Sequence, residues 1–493
     1  MKGDRPSGSP RLARSYWIAF AITGVLAILI RLAFWFWTRW TIEDALIIGR
    51  MVRNLVDHGE LTFNLGQRSS AATSPLFAVA AAAVSRTGVD PVASAKLLGL
   101  IASTVTCLVV FDMIAHFYTP AEALIGSLFY VLLPPVVAYS VGGMETPVYT
   151  AACAVALERL VRHHDEQAMG TAAVATLLRP DGGIVLAVIG AVVAWRSRAS
   201  LPRLMRMLGY SILILAVGLG LHRLYYGQLL PQSLVAKGIG YQIDPLENTR
   251  RYMSRMLFSQ PGGLGVYVFA AVGAWRFVRR WPPAGIFLVW YAIYHLFFFA
   301  RAPLFDWYLQ PPLFVLSLFA AVGFLEAVSA AGAKAGGKGN GLTLRLAADV
   351  TVVVVLVSAL AVYARGRIGA QAYEDRIRGG AGRWLTAHTS RSALVFTESL
   401  GYIGYQTSNP FVDWPGLASP DVPPLLRSTG TAGSRRAAYD AIIKAYQPAY
   451  LVLRGEEWIR LAPAVKALYH ECIEFRPTRT DDVAYLIVGR DCP

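Results

Sequence analysis

The stretch YWIAFAITGVLAILIRLAFWFWT, residues 16–38, is followed within a few residues by the acidic pair Glu43-Asp44. An apolar run of this length can cross the hydrocarbon core of a bilayer as a helix. It is too long for the apolar part of a signal peptide, and no cleavage site of small residues follows it, so we expect the protein to retain it. The sequence therefore predicts a membrane protein whose first span leads directly into an acidic pair.

The composition of the whole chain supports this prediction. Of its 493 residues, 55% are hydrophobic and only 16% are charged, whereas soluble domains carry about 25% charged residues. The net charge of +15 is not attributed to nucleic-acid binding, because no soluble basic domain is present to carry it. It indicates cytoplasmic loops in contact with anionic membrane lipids.

Apolar runs bounded by Arg, Pro or Gly predict an α-helical polytopic membrane protein with about eleven spans. The predicted spans are 16–38, 93–112, 122–140, 146–162, 168–179, 182–195, 205–223, 262–276, 284–300, 309–329 and 347–364. The spans 168–179 and 182–195 are separated only by a break at Arg179-Pro180-Asp181-Gly182, so they are alternatively one broken helix. Broken backbone at membrane depth is tolerated where it is buried in protein or lines a cavity.

The distribution of Lys and Arg predicts the orientation of these spans. Residues 1–15 and the later basic loops are expected in the cytoplasm, provided that segment 75–86 lies along the membrane interface. The loops 39–92, 224–261 and 301–308 then lie outside, as does everything after the transmembrane domain 16–364. Residues 365–493 alternate short β-like runs (394–396, 450–453 and 483–488) with helical stretches (435–446 and 462–469) and are predicted to form a small extracytoplasmic α/β domain.

Four cysteines divide between these two parts of the chain. Cys107 and Cys153 lie in apolar runs and are expected to be inert core residues. Cys472 and Cys492 lie in the C-terminal region, where they can pair as a disulfide if that region is extracytoplasmic. No spacing of Cys or His indicates a metal site.

The acidic pair opens a predicted amphipathic helix at the membrane surface. Asp44 shares one face of this helix with Ile48 and Met51, and Arg50 and Arg53 lie on another. The plain interpretation is that Glu43 and Asp44 favour the helix N-terminus, where the macrodipole attracts negative charge. The alternative is a catalytic role, for which the surrounding motifs are the evidence.

Those motifs resemble the pattern of the GT-C glycosyltransferases, most closely the branch of the mycobacterial terminal β-(1→2) arabinofuranosyltransferase. One departure from the family pattern is Glu43, where the family has Asp. The matching elements, spread over residues 16 to 420, are Asp44-Ala45, Arg53-Asn54-Leu55, Phe63-Asn64-Leu65-Gly66, Ser74-Pro75-Leu76, Gly143-Met144-Glu145-Thr146, Arg179-Pro180-Asp181-Gly182, Asp306-Trp307-Tyr308-Leu309 and Trp414-Pro415-Gly416-Leu417.

The resemblance implies an enzyme that moves a sugar, arabinofuranose in the named branch, from a polyprenyl phosphate to a cell-envelope glycan or lipid acceptor. A phosphate departs as a stable anion, so a single carboxylate base is enough to activate the acceptor hydroxyl, and the anomeric centre inverts. Asp44 is expected to be this base. Glu43 is expected to assist it or to orient Asp44 or the acceptor.

Several further residues are candidates for binding. Lys237, Arg50, Arg53 and Arg301 are expected to bind the donor phosphate, whereas Arg250 and Arg251 fit contact with lipid headgroups equally well. Candidates for contact with the sugar or the acceptor, on the strength of the resemblance, are Glu145, Arg179, Asp181, Asp306, Trp307 and Tyr308. The alternative, purely structural roles are a helix cap at Glu145, an ion pair that stabilises the broken helix at Arg179 and Asp181, and an interfacial aromatic belt at Trp307 and Tyr308.

Other functions remain open from the sequence alone. Within the same superfamily, a mannosyl- or aminoarabinose-type transferase acting on protein or lipid A fits the motifs. A transporter of lipid-linked sugars is disfavoured, because charged residues crowd the outer loops and no internal repeat is visible. A divalent metal shared by Glu43 and Asp44 is neither required nor excluded.

Overall fold

The computed structural model of the chain describes residues 10–198, 200–241, 244–258, 263–301, 305–334, 338–478 and 482–493. Most of the described chain is helical, with a small sheet near the C-terminus. The helices before that sheet are α1 (Pro10–Thr38), α2 (Glu43–His58), α3 (Pro75–Ser85), α4 (Pro91–Ala115), α5 (Pro120–Val131), α6 (Pro134–Ser140), α7 (Thr146–Val161), α8 (Asp165–Leu178), α9 (Gly182–Arg196), α10 (Leu201–Tyr226), α11 (Gln232–Gly240), α12 (Pro245–Phe258), α13 (Gly263–Arg280), α14 (Gly285–Arg301), α15 (Leu313–Lys334), α16 (Lys338–Arg376) and α17 (Arg378–His388).

The C-terminal region folds as a mixed α/β unit. Its strands are β1 (Val395–Thr397), β2 (Phe411–Asp413), β3 (Tyr450–Arg454), β4 (His470–Phe475) and β5 (Tyr485–Gly489), and its helices are α18 (Leu400–Tyr405), α19 (Val422–Ser428), α20 (Arg435–Tyr446), α21 (Gly455–Arg460) and α22 (Pro463–Lys466). The described strands form one sheet in the order β2-β1-β3-β5-β4. Strand β1 runs parallel to β2 and β3, and β5 runs antiparallel to β3 and β4. A disulfide between Cys472 and Cys492 ties β4 to the chain after β5.

Six helices in the described residues are long and apolar enough to cross a membrane, or seven if the pair α5 and α6, bent by 70°, is one span. Ten of the eleven predicted spans overlap one α-helix each, whereas the predicted span 122–140 is the bent pair α5 and α6. Helices α7, α8 and α9 are shorter than a bilayer needs as straight helices. They bury much of their surface against neighbouring helices, with Tyr149, Ala172 and Val185 fully buried. The multi-pass helical architecture is confirmed, and the count of eleven stays a prediction.

Helix α16 links the membrane helices to the C-terminal sheet. Its 39 residues extend about 58 Å at 1.5 Å per residue, which is roughly twice the hydrocarbon thickness of a bilayer. Its C-terminal end therefore projects beyond the apolar layer. There Gln371 accepts a hydrogen bond from the backbone N–H of Thr41 and from the hydroxyl of Tyr402, which fixes α16 against both parts of the molecule.

Helix α2 lies between the membrane helices and the C-terminal unit. Its apolar residues join a core shared with α3 and α4, and its other face is covered by α18, where Gly401 approaches the backbone of Glu43. A Cβ atom on Gly401 would lie 2.2 Å from the carbonyl oxygen of Glu43. The helix begins at Glu43 as predicted, but it is enclosed on both faces instead of lying on a lipid surface.

Helices α13 and α15 approach each other through two glycines. A Cβ atom on Gly273 would lie 1.9 Å from the carbonyl oxygen of Phe319, and one on Gly323 would lie 1.9 Å from the carbonyl oxygen of Phe269. Small residues are what allow two membrane helices to pack this closely.

We expect Gly273→Ala to force these two helices apart and to lower the midpoint of thermal unfolding by several degrees, since overpacking costs about 1–3 kcal/mol. The matched control is Gly265→Ala on the same helix, where an added Cβ meets nothing within 4 Å. Heating the detergent-solubilised protein and measuring the remaining monodisperse fraction gives both midpoints. Equal midpoints for the two variants would show that the close packing at Gly273 is absent.

Candidate active site

The N-terminus of α2 is held in place by two glycines of the α6–α7 loop. The backbone N–H of Ile42 donates a hydrogen bond to the carbonyl oxygen of Gly142, 3.1 Å away. A Cβ atom on Gly142 would lie 2.5 Å from the Ile42 side chain, and one on Gly143, whose φ is +89°, would lie 2.8 Å from Ala45. Only glycine permits this approach, which brings the α6–α7 loop against the start of α2.

Asp44 faces a lysine from a different helix. The Lys237 Nζ atom on α11 lies 3.6 Å from Asp44 Oδ2, and 28% of the Asp44 side chain and 13% of the Lys237 side chain are exposed. The ammonium also lies 5.1 Å from the ring centroid of Phe305 and 5.6 Å from that of Trp307. Lys237 is thus held by one carboxylate and two aromatic faces in a partly enclosed crevice.

The charge of Lys237 is stabilised by its surroundings. Burial of the ammonium acts to lower the pKa of Lys237, but Asp44, Tyr308 and Glu145 outweigh it, so that the pKa is raised above its ordinary value. Lys237 therefore stays protonated, and an anion that displaced Asp44 from it would find a fixed positive charge.

Glu145, Arg179 and Asp181 form a buried ionic cluster behind this pair. Arg179 Nη1 lies 3.1 Å from Glu145 Oε1, and Arg179 Nε lies 3.0 Å from Asp181 Oδ1. Each of the three residues is less than 10% exposed. Burial raises the pKa of Glu145 although Arg179 opposes the shift. The break between α8 and α9 thus places its charged residues beside the α6–α7 loop.

Aromatic rings close this cluster. The Arg179 guanidinium lies 5.3 Å from the ring centroid of Tyr149 and 5.1 Å from that of Tyr308. The hydroxyl of Tyr294 donates to the backbone carbonyl of Tyr308 at 2.9 Å. Trp307 stacks on Phe305 with ring centroids 4.6 Å apart. The structure therefore brings six predicted site residues into one region, namely Asp44, Lys237, Glu145, Arg179, Trp307 and Tyr308, with Asp181 directly behind.

Glu43 points away from Asp44, toward the C-terminal unit. Its carboxylate forms an ion pair with Arg378 at the start of α17, and Arg378 also pairs with Glu374 at the end of α16. The two neighbouring acids therefore have different partners. Arg378 was not among the predicted residues, because the sequence offers no motif that links position 378 to position 43.

An apolar cavity of about 530 Å³ is lined mainly by α3, α8, α10 and the segment that precedes α11. Its walls include Leu76, Leu177, Pro180, Leu221 and Pro231. Pro180 stands between Arg179 and Asp181, and Pro231 precedes the helix that carries Lys237. The cavity wall thus includes the residue between Arg179 and Asp181 and the residue that precedes α11, and its lining suits a hydrocarbon chain.

The chain is similar in fold to solved structures of membrane proteins. ArnT from Cupriavidus metallidurans, in the apo state, matches with a TM-score of 0.62 at 11% identity over 97% of this chain and 98% of that one. The same protein bound to undecaprenyl phosphate matches at 0.59 and 13%, over 96% and 98%. The Archaeoglobus fulgidus oligosaccharyltransferase AglB, in complex with an inhibitory peptide and a dolichol-phosphate, matches at 0.55 and 13%, over 96% and 74%.

The chain has the GT-C fold. The predicted fold class is therefore confirmed, while identities this low carry no residue assignments across. Residues 365–487 also match a family model described as a domain of unknown function, DUF8728. No curated protein sequence matches the chain.

Two other predicted site residues, Asp306 and Arg53, are paired with residues outside the Asp44–Lys237 site. Asp306 is paired with Arg255 of α12, and both side chains are about half exposed. Arg53 donates to the carbonyl oxygen of Tyr405 and stacks over that ring at 4.0 Å. Neither contact faces Asp44. The side chain of Arg301 lies outside the described part of the structure.

The two acids at the start of α2 are each already paired with a cation. Within the described residues there is no group of three or more His, Cys, Asp or Glu side chains arranged to hold a metal ion. A metal shared by Glu43 and Asp44 would have to displace both Arg378 and Lys237. In the described residues, the cations that face the two acids are the side chains of Arg378 and Lys237.

Arg50, predicted to bind phosphate, is instead a structural clamp. It is 5% exposed. Its guanidinium donates to the carbonyl oxygens of Phe63, Gly404, Thr407 and Asn409, at 2.9, 2.8, 3.3 and 2.8 Å. Burial lowers the pKa of Arg50 to about 9. The guanidinium thus joins α2 to the end of α18 and the loop after it, through hydrogen bonds to backbone carbonyls.

We expect Arg50→Lys to destabilise the protein, although it keeps the charge, because an ammonium cannot span four carbonyls as the planar fork does. A buried charge-assisted hydrogen bond contributes about 1.5–3 kcal/mol. Thermal unfolding of the solubilised protein is the measurement, with Arg86→Lys at an exposed position as the control. A phosphate-binding Arg50 would give the opposite pattern, with normal stability and weaker donor binding.

Proposed function

We propose that this protein is an inverting glycosyltransferase that moves a sugar from a polyprenyl-phosphate donor to an acceptor hydroxyl at the outer face of the membrane. The observation that carries the proposal is the Asp44–Lys237 pair on a GT-C fold, together with an apolar cavity whose wall includes Pro180 and Pro231. A carboxylate–lysine pair and a hydrocarbon-lined cavity fit a lipid phosphate that leaves as an acceptor hydroxyl attacks.

The reaction needs one base. Asp44 takes the proton from the acceptor hydroxyl while the hydroxyl oxygen forms a bond to the anomeric carbon of the donor. The bond from that carbon to the phosphate oxygen breaks, and the polyprenyl phosphate leaves with the bonding electrons. Because the attack comes from the side opposite the phosphate, the anomeric configuration inverts.

Lys237 has a different role in the free and the donor-bound protein. Without donor it neutralises Asp44 across 3.6 Å. The phosphodiester of the arriving donor carries one negative charge and competes with Asp44 for the same ammonium, and the leaving phosphate gains a second negative charge as its bond to the sugar breaks. When Lys237 turns to the phosphate, the Asp44 carboxylate is released to act as base, and the lysine stabilises the charge that develops on the leaving group.

The remaining candidates have supporting roles. Arg378 fixes Glu43 and so holds the first turn of α2. The cluster of Glu145, Arg179 and Asp181 is fully paired, which suits a rigid wall that receives sugar hydroxyls rather than a mobile phosphate ligand. Trp307, stacked on Phe305, offers an aromatic edge next to Lys237.

The nature of the donor follows from the resemblance of the loop motifs and from the cavity. The ArnT structure is bound to undecaprenyl phosphate and the AglB structure to a dolichol-phosphate. For this chain we propose a polyprenyl phosphate whose chain occupies the cavity beside Pro180 and Pro231. We propose arabinofuranose as the sugar, on the likeness of residues 43–76 to the arabinofuranosyltransferase branch, and a cell-envelope glycan or lipid as the acceptor.

The orientation proposed for the site is extracytoplasmic, in a bacterial plasma membrane. The excess of Lys and Arg in the loops on the opposite side supports it. The disulfide between Cys472 and Cys492 supports it independently, because disulfides persist in oxidising compartments. The active site and the C-terminal unit then lie on the same outer side.

The central test is the variant Asp44→Asn. It keeps the size of the side chain and removes its basicity, so we expect turnover to fall about 10²–10⁴-fold while undecaprenyl phosphate still binds. The measurement is transfer from radiolabelled polyprenyl-phosphate sugars by the purified protein. The matched control is Asp57→Asn, an exposed acid on the same helix, which should retain full activity. Near-normal turnover by Asp44→Asn would remove Asp44 from the reaction.

A further inference from the structure

A row of aromatic rings leads from Lys237 into the C-terminal unit. Phe305 lies against Trp307 at one end, and Tyr241, directly after α11, lies 5.6 Å from Phe305 and 5.2 Å from Trp414, measured between ring centroids. Tyr241, Phe305 and Trp307 are partly exposed, whereas Trp414 is buried. We define the crevice as the partly exposed surface along these three rings, from the Asp44–Lys237 pair to the C-terminal unit.

A balanced group of charges lies at the far end of this row. Glu398, directly after β1, has its Oε2 atom 2.6 Å from Arg454 and its Oε1 atom 3.6 Å from Arg435. The second distance is longer than a hydrogen bond, and the Arg435 side chain is 43% exposed over the Trp414 ring. Oε1 and the Arg435 guanidinium thus keep hydrogen-bonding capacity at the edge of the crevice.

Tyr241 connects this charged group to the acidic pair. Burial raises the pKa of its hydroxyl, and the charges that act on it next are those of Glu398, Asp44, Arg435 and Glu43. The phenol therefore lies within electrostatic range of both ends. Among the described residues, none forms a hydrogen bond with its hydroxyl, so it is available to a ligand.

We propose that this crevice, from Asp44 past Tyr241 to Glu398 and Arg435, is the acceptor subsite, and that it takes a neutral, polyhydroxylated sugar chain. This inference rests on the proposed transferase function. Aromatic rings pack against the C–H faces of sugars, while carboxylate, guanidinium and phenol groups hydrogen-bond their hydroxyls. An acceptor bound here extends its terminal hydroxyl toward Asp44.

The charge balance of the crevice favours a neutral acceptor over a phosphate-bearing one. At its far end, Arg435 and Arg454 are matched by Glu398 and Glu457. At its near end, Lys237 binds the donor phosphate in the proposed mechanism. A phosphorylated acceptor would meet Glu398 and Glu43 without an unmatched cation to offset them.

Binding of oligosaccharides to the purified, full-length protein tests this subsite without any transfer. The probes are a linear arabinofuranosyl pentasaccharide, a mannopyranosyl pentasaccharide and a phosphorylated form of each, observed by saturation-transfer NMR. We expect at least one neutral probe to bind. Glu398→Gln and Tyr241→Phe should each weaken that binding about tenfold, which corresponds to one lost hydrogen bond of about 1.4 kcal/mol.

A control variant makes the result specific. Arg476→Ala alters a side chain that is 80% exposed after β4 and should bind the probe as the wild type does. Retained binding of undecaprenyl phosphate shows that each variant is folded, and Tyr241→Phe, which disturbs no ion pair, decides the question if Glu398→Gln does not fold.

The outcomes separate the subsite from the reaction. Unchanged binding in both variants, binding of phosphorylated probes alone, or no binding of any probe by the wild type would each overturn the proposed subsite. A wild type that binds a neutral probe through Tyr241 and Glu398 but transfers no sugar would overturn the transferase proposal and leave the subsite standing.

Discussion

The pairing of Asp44 with Lys237 is the interaction on which the rest of the site depends. It joins the first turn of α2 to α11, two helices separated by nearly two hundred residues, across 3.6 Å. A carboxylate at a helix N-terminus is stabilised by the helix dipole. The lysine that faces this carboxylate can exchange it for a phosphate. The proposed chemistry follows from this one exchange of partners.

Much of the surrounding fold maintains the geometry of that pair. Gly142 and Gly143 allow the α6–α7 loop to lie against the start of α2. Arg50 fastens the middle of the same helix to the C-terminal unit through three backbone carbonyls. Ile239, two residues beyond Lys237, packs into the core of the C-terminal sheet. Both partners of the ion pair are thus fixed by elements that belong to different parts of the chain.

The sequence predicted the features that depend on local pattern. It did not predict contacts between residues that are distant in the chain. The start of α2 at Glu43 and the helix Arg435–Tyr446 agree with the structure, because periodicity and boundaries specify them. Strand β4 was missed because its residues are largely exposed and polar. The charge of Arg50 indicated a ligand, but three of its four carbonyl partners lie about 350 positions away in the chain, where only folding brings them together. Arg378 was missed for the same reason, since its partner Glu43 is 335 positions away.

The most direct test of the central claim is a structure of the full-length protein, by cryo-electron microscopy, with undecaprenyl phosphate bound. The account predicts the phosphate at hydrogen-bonding distance from Lys237 Nζ, about 2.8 Å, with the Asp44 carboxylate released and the hydrocarbon chain in the cavity beside Pro180. A phosphate bound elsewhere, with the ion pair between Asp44 and Lys237 intact, would contradict it.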